Sequence, residues 1–179
     1  IYQGIAQGAV KAVYLLGADE VDAEKLRGAF VIYQGHHGDK MANAADIIFP
    51  GAAYTEKNAT YVNTEGRAQP ARQAVFPVGE AREDWKVIRA LSEYIGAPLG
   101  YTTIADVRAD LAAMHPAFRH IGKIVAAESA EFGAAGPIDP NPFPSAHPNF
   151  YQTNAIARAS EIMAKCVAEL APQARKEAA

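Results

Sequence analysis

Sulfur is scarce and charge is evenly spread. The 179 residues hold one cysteine, Cys166, and one tryptophan. A lone thiol closes no internal disulfide and supplies too few thiolates for the usual zinc or iron-sulfur site, and it fits a reducing compartment. No block of like charge occurs among 17 basic and 20 acidic residues, so composition lends no support to a nucleic-acid partner or an anionic membrane surface. No run approaches the ~20 consecutive apolar residues of a bilayer span, which excludes a direct membrane crossing by this segment. The opening Ile1-Tyr2-Gln3-Gly4 has no initiator Met, basic segment or apolar leader, and reads as the inside of an element, so a fragment is expected.

What is present is ample core material, with 50% hydrophobic residues. At roughly 100–200 residues per domain, the length allows one domain, alone or with a long appendage. Ile5, Ala9 and Ala12 recur at helical spacing, and residues 12–16 then run continuously apolar to Gly17, as a strand buried on both faces would. A short helix over 22–26 leads to a second strand over 29–34. A helix within 37–45 leads to a third over 46–49, stopped by Pro50-Gly51. Strands alternating with short helices predict an α/β fold with a partial doubly wound parallel sheet of three strands.

After Gly51 the pattern changes. Residues 60–63 and 67–69 flank Thr64-Glu65-Gly66, which predicts a β-hairpin. A helix comes next, with Glu80, Glu83 and Asp84 near its positive end and Trp85, Ile88, Leu91 and Ile95 on one face. Thr103 and Asp106 form a capping-box pattern before a stripe of Ile104, Val107, Leu111 and Met114. Pro137, Pro140, Pro142, Pro144 and Pro148, five of the chain's 11 prolines, exclude helix and central strand from 137–148 and predict an extended segment. Beyond it, Ile156, Ala159, Met163, Val167 and Leu170 keep helical spacing, and the last residues should fray.

Reactive groups are sparse. His36-His37-Gly38-Asp39 follows a strand, where α/β folds place ligands, but adjacent histidines in extended chain point apart and no third metal ligand sits at a usual spacing. The simpler expectation is a backbone hydrogen bond from one imidazole and a helix cap from Asp39. Glu56, Lys57, Glu65 and Arg67 gather two carboxylates and two cations near a turn, which could hold an anion or serve acid/base work. No nucleophile accompanies them. Paired surface charges around a turn, with Asn63 and Thr64 satisfying local backbone donors, is the structural expectation. Cys166 lies beside Met163 and Val167 as a small hydrophobe. No catalytic, cofactor-binding or metal-binding residue is expected.

The motifs Gly35-His36-His37-Gly38-Asp39, Asp46-Ile47-Ile48-Phe49-Pro50-Gly51, Tyr54-Thr55-Glu56-Lys57 and Tyr61-Val62-Asn63-Thr64-Glu65-Gly66-Arg67 together resemble the large iron-sulfur (75 kDa) subunit of respiratory complex I, of alphaproteobacterial and mitochondrial type. The likeness continues through Arg82-Glu83-Asp84-Trp85-Lys86 and again through Arg158-Ala159-Ser160 and Met163-Ala164-Lys165-Cys166. Residues 45–69 also look like the wider molybdopterin oxidoreductase superfamily.

The resemblance implies that residues 1–116 are the C-terminal portion of a molybdopterin-oxidoreductase-like α/β domain, and 117–179 an extended proline-rich arm with a terminal helix. It implies an NADH:quinone oxidoreductase whose 2Fe-2S and 4Fe-4S clusters lie in a missing N-terminal part, with none here. The other peripheral-arm subunits would be its partners, on the cytoplasmic side of a bacterial inner membrane or the mitochondrial matrix side. A molybdopterin enzyme, with the His36 loop and the Glu65-Gly66-Arg67 turn against a pterin pyrophosphate, is the alternative. An independent α/β binding domain is the third.

Overall fold

The computed structural model describes residues 1–38, 40–126, 133, 135–142 and 149–177, the last seven as backbone only. The chain divides into two compact units, Ile1–Ala127 and Glu128–Ala179. Asp39, Pro144 and Pro148 lie outside the described residues, and with them the expected Asp39 cap and the end of the proline-rich segment.

The first unit opens with α1 (Tyr2–Ala6), which stops well before Ala9 and Ala12. Gly8 takes a φ of 71°, and its N–H closes onto the Ile5 carbonyl at 2.9 Å, turning the chain out of the helix. Ala12 therefore begins β1 (Ala12–Leu16) instead of extending the helical stripe. A 3-10 turn (Ala23–Leu26), with Asp22 accepting from the Glu24 N–H, leads to β2 (Phe30–Gly35). Then come α2 (Lys40–Ala44) and β3 (Ile47–Pro50). The sheet is parallel in the order β1-β2-β3, in register Leu15 with Tyr33 and Tyr33 with Ile48.

One face of this sheet makes the core. Leu15, Val31 and Tyr33 alternate onto it and pack with Ile5, Leu26 and Met41 from the two helices and the 3-10 turn. Burying each such side chain stabilises the fold by about 1.5–3 kcal/mol. The opposite face is not closed as the apolar runs predicted: Leu16, Phe30 and Ile47 are exposed, while Gln34 is buried at its C-terminal end. The core face is itself open at β3, where Ile48, in register with Tyr33, is 51% exposed.

Antiparallel β4 (Ala59–Val62) and β5 (Ala68–Ala71) form the expected hairpin. Asn63 organises its turn: its Oδ1 accepts from the Glu65 N–H at 3.1 Å and the Arg67 N–H at 3.0 Å, while Gly66 supplies a φ of 80°. Helix α3 (Asp84–Tyr94) is tied to the sheet by a parallel bridge between Gly51 and Arg82. Ile95 is its C-terminal cap and is exposed, and Gly96 (φ 73°) turns the chain away directly after it. Helix α4 (Ile104–Met114) carries the predicted capping box, but Met114 is 82% exposed and its stripe is only half-buried. A 3-10 turn (Pro116–Arg119) comes next, and Gly122 returns its N–H to the Ala68 carbonyl at 2.8 Å.

In the second unit the single expected helix is two. Helix α5 (Ala155–Arg158), capped by Asn154 on the Ala157 N–H, ends at Ala159, and α6 (Glu161–Glu177) begins again after Ser160. The Ser160 hydroxyl accepts the Met163 N–H at 3.4 Å, which makes it a cap rather than a helix-interior residue. Met163, Cys166 and Val167 share the half-buried side of α6. The helix runs to Glu177, and residues 178 and 179 lie outside the described residues.

Candidate functional site

A small crevice of about 110 Å³ opens at the C-terminal ends of the three parallel strands, where Gly17, Gly35 and Gly51 stand with His36, Ala52 and Lys57. Its floor is polar. Gln34 is the last side chain of β2 before Gly35, and at 1% exposure it must use both ends of its amide. Its Oε1 accepts a short hydrogen bond from the Tyr14 hydroxyl of β1. Its Nε2 donates to Asp84 Oδ1 at 2.8 Å, at the first turn of α3. Asp84 Oδ2 in turn meets the Lys57 ammonium at 2.5 Å. A chain Tyr14, Gln34, Asp84, Lys57 therefore crosses from β1 through β2 to the start of α3 and the loop after β3. Burial, with the nearby Asp84 charge, pushes the Tyr14 phenol above its ordinary range.

Beside it, Glu83 holds the same loop by a different route. Its carboxylate accepts from the Asn58 N–H at 2.9 Å and side-chain amide at 3.2 Å, from Trp85 Nε1 at 3.2 Å, and pairs with Lys86 at 2.8 Å. Burial acts to raise its pKa, but the hydrogen bonds from Lys86 and Asn58 outweigh that and hold the carboxyl below its usual range. Glu83 is thus a loop anchor and not simply an acid at a helix N-terminus.

The sequence-derived candidates are redistributed. His36 and His37 do not point apart, because residues 36 and 37 form a bend; their Nδ1 atoms face each other at 2.6 Å. Burial, then the neighbouring His37 and Lys57 charges, lower the His36 pKa. The four charges grouped around the turn separate. Glu56 accepts the Ala53 N–H at 3.0 Å and Lys57 goes to Asp84, while Glu65 and Arg67 pair with each other at 3.2 Å at the hairpin tip. Sequence reasoning misses Tyr14, Gln34 and Asp84 as a group. The available signal is a glutamine closing the otherwise apolar run Phe30-Val31-Ile32-Tyr33, since a buried amide demands partners.

A wider hollow of about 640 Å³ runs along α3 between Phe49, Trp85, Leu91 and Tyr94. Among the described residues, no cluster of three or more His, Cys, Asp or Glu could hold a metal ion, and no helix is long and apolar enough to cross a membrane.

Residues 2–94 match the family described as molybdopterin oxidoreductase. The chain belongs to that family. Residues 115–166 match a second family, that of the C-terminal part of the NADH-ubiquinone oxidoreductase G subunit. In sequence the chain is 47% identical over 177 residues to the mitochondrial NADH-ubiquinone oxidoreductase 78 kDa subunit of Candida albicans, covering 93% of this chain and 25% of that one. It is 48% identical over 159 residues to the NADH-ubiquinone oxidoreductase 75 kDa subunit of Reclinomonas americana, covering 86% and 23%. It is 43% identical over 158 residues to the NADH-quinone oxidoreductase G subunit of Rickettsia bellii, covering 88% and 23%. The chain spans about a quarter of the length of these curated relatives. Among solved structures, acetylene hydratase from Pelobacter acetylenicus aligns with a TM-score of 0.46 at 23% identity, over 54% of this chain and 15% of that one.

The pterin cofactor that the family name implies does not fit the strand-end crevice. Ligand pockets for molecules of drug size run to about 300–1,000 Å³, against 110 Å³ here. The cation and the carboxylate nearest the opening are already spent on each other.

Proposed function

We propose that this chain is a segment of the large iron-sulfur subunit of an NADH:quinone oxidoreductase, respiratory complex I, and that the segment is a scaffold without a redox centre. The whole enzyme passes electrons from NADH through iron-sulfur clusters to quinone, coupled to proton translocation. The 2Fe-2S and 4Fe-4S clusters belong to the N-terminal part of the subunit, and no catalytic, cofactor-binding or metal-binding residue is assigned here. Residues 1–116 would be the C-terminal portion of the molybdopterin-oxidoreductase-like α/β domain and 117–179 the proline-rich arm and terminal helix. Other peripheral-arm subunits are the partners, on the cytoplasmic face of a bacterial inner membrane or the matrix face of the mitochondrial one.

The observation that carries this reading is the bonded chain Tyr14, Gln34, Asp84, Lys57, whose last three members line the crevice. The similarity to relatives named as NADH-ubiquinone and NADH-quinone oxidoreductase subunits, at 43–48% identity, supports the assignment to the complex. Deleting residues 137–179 in the full-length protein tests the scaffold: assembly is expected to fail, and unchanged assembly would count against it.

The family match over residues 2–94 favours one rival, a pterin-dependent oxidoreductase. Elemental analysis of the full-length protein separates the two, since stoichiometric molybdenum or tungsten would overturn the scaffold reading.

A further inference from the structure

We infer that the strand-end crevice is kept shut by a plug of the chain's own making: Lys57 and Asp84, pinned by Gln34, take up the charges with which an anionic group would otherwise be bound there. The inference rests on the reading of this segment as free of cofactor, and it concerns what excludes one.

The crevice lies where a ligand would be admitted, since α/β folds take ligands at the carboxyl ends of parallel strands. Here Gly17, Gly35 and Gly51 leave the strand ends bare of side chains, so the opening itself has not been filled by bulk. Charge closes it instead. The Lys57 ammonium that lines the crevice has a side chain only 17% exposed and stands 2.5 Å from Asp84 Oδ2. An entering anion would have to draw Lys57 away and would then face the Asp84 carboxylate at close range, a like-charge contact.

The pair is also rigid. Asp84 cannot swing aside freely, because its other oxygen holds the Gln34 amide at 2.8 Å, and Gln34 is itself held by Tyr14. Moving the carboxylate would strand a buried donor. The plug is therefore a connected unit from strand to helix rather than a loose surface pair.

In the full-length protein, Asp84→Asn keeps the shape of the side chain and an acceptor for Gln34, but frees the Lys57 charge. Inorganic phosphate, small enough for the crevice, is the probe. Calorimetric titration is expected to show at least tenfold tighter phosphate binding by Asp84→Asn than by the wild type. The gain should vanish in the double variant Asp84→Asn/Lys57→Met. Equal affinity of folded Asp84→Asn and wild type, or a gain that survives removal of Lys57, overturns the inference.

If Asp84→Asn does not fold, amine acylation of the wild type decides. Lys57 is expected to react at least tenfold more slowly than Lys25, whose side chain is 61% exposed, and equal rates overturn the plug. Co-purification with other subunits is scored on the same samples. Its loss would sink the proposed function and leave the phosphate result standing.

Discussion

Asp84 faces two ways: one carboxylate oxygen takes the Gln34 amide at 2.8 Å and the other takes the Lys57 ammonium at 2.5 Å. Removing the carboxylate therefore leaves two donors without an acceptor, whereas removing the ammonium leaves one charge that is 33% exposed and can be solvated where it stands. Asp84→Ala is expected to destabilise the protein by about 1–3 kcal/mol, and Lys57→Met by less than about 1 kcal/mol, since partial exposure screens the pair. Urea unfolding of the two variants checks the order; a larger loss for Lys57→Met would contradict it.

Glu83 gives a pH dependence of definite sign. Its folded-state carboxyl is held below the ordinary value, so its contribution is fully present above about pH 4.3, the unfolded value, and is lost as pH falls through the lower folded one. Protection of the Asn58 amide in hydrogen exchange, corrected for intrinsic rates, should fall across that acid range. In Glu83→Gln, which keeps one acceptor but no charge, the same acid step should be absent.

Gly35 is required by space and not by backbone angle. A Cβ at this position would fall on the phenol of Tyr33, which is 2% exposed and has no room to retreat. Gly35→Ala is expected to cost about 1–3 kcal/mol through overpacking, read as a lowered thermal midpoint. Gly17→Ala meets no neighbour within 4 Å, but its φ of 62° makes a smaller cost of about 1 kcal/mol the expectation.

At the start of α4, Asp106 accepts from the Thr102 and Thr103 N–H groups at 2.9 and 2.7 Å, and from the Thr102 hydroxyl at 2.9 Å. These bonds, from Thr102 foremost, bring its pKa down to about 2. The cap should therefore persist to about pH 2 and its contribution fade between the unfolded value, near 4, and that point. Thr103→Ala is expected to lower helix stability by about 1 kcal/mol at neutral pH. Carboxyl chemical shifts across a titration check the first expectation, and thermal unfolding the second.

The elements whose signal is local are readable in the residues. Three apolar runs punctuated by glycine form the parallel strands, Asn63 and Gly66 form the hairpin turn, and Thr103 with Asp106 caps α4 as their spacing requires. What depends on distant partners is not readable. Asp84 reads as a helix-dipole acid because nothing local announces that Gln34, 50 positions earlier, will reach it. Lys57 groups with the turn charges because its sequence neighbours are closer than its partner, 27 positions on. The two imidazoles mislead for a geometric reason, since a bend at 36 and 37 reverses the outward alternation of a strand. Helices α5 and α6 look continuous in sequence because periodicity is blind to a serine that caps.

One junction links the sheet to its neighbour helix without slack. The Arg82 N–H donates to the Pro50 carbonyl at 3.1 Å and the Ala52 N–H donates to the Arg82 carbonyl at 2.9 Å, two residues before α3 begins. With so short a lever, a molecule leaning on Trp85 or Tyr94 would pull on the rim of the strands instead of merely tilting the helix. A load on α3 would reach the strand ends through these two bonds, because Asp84 in its first turn also holds the buried Gln34 amide.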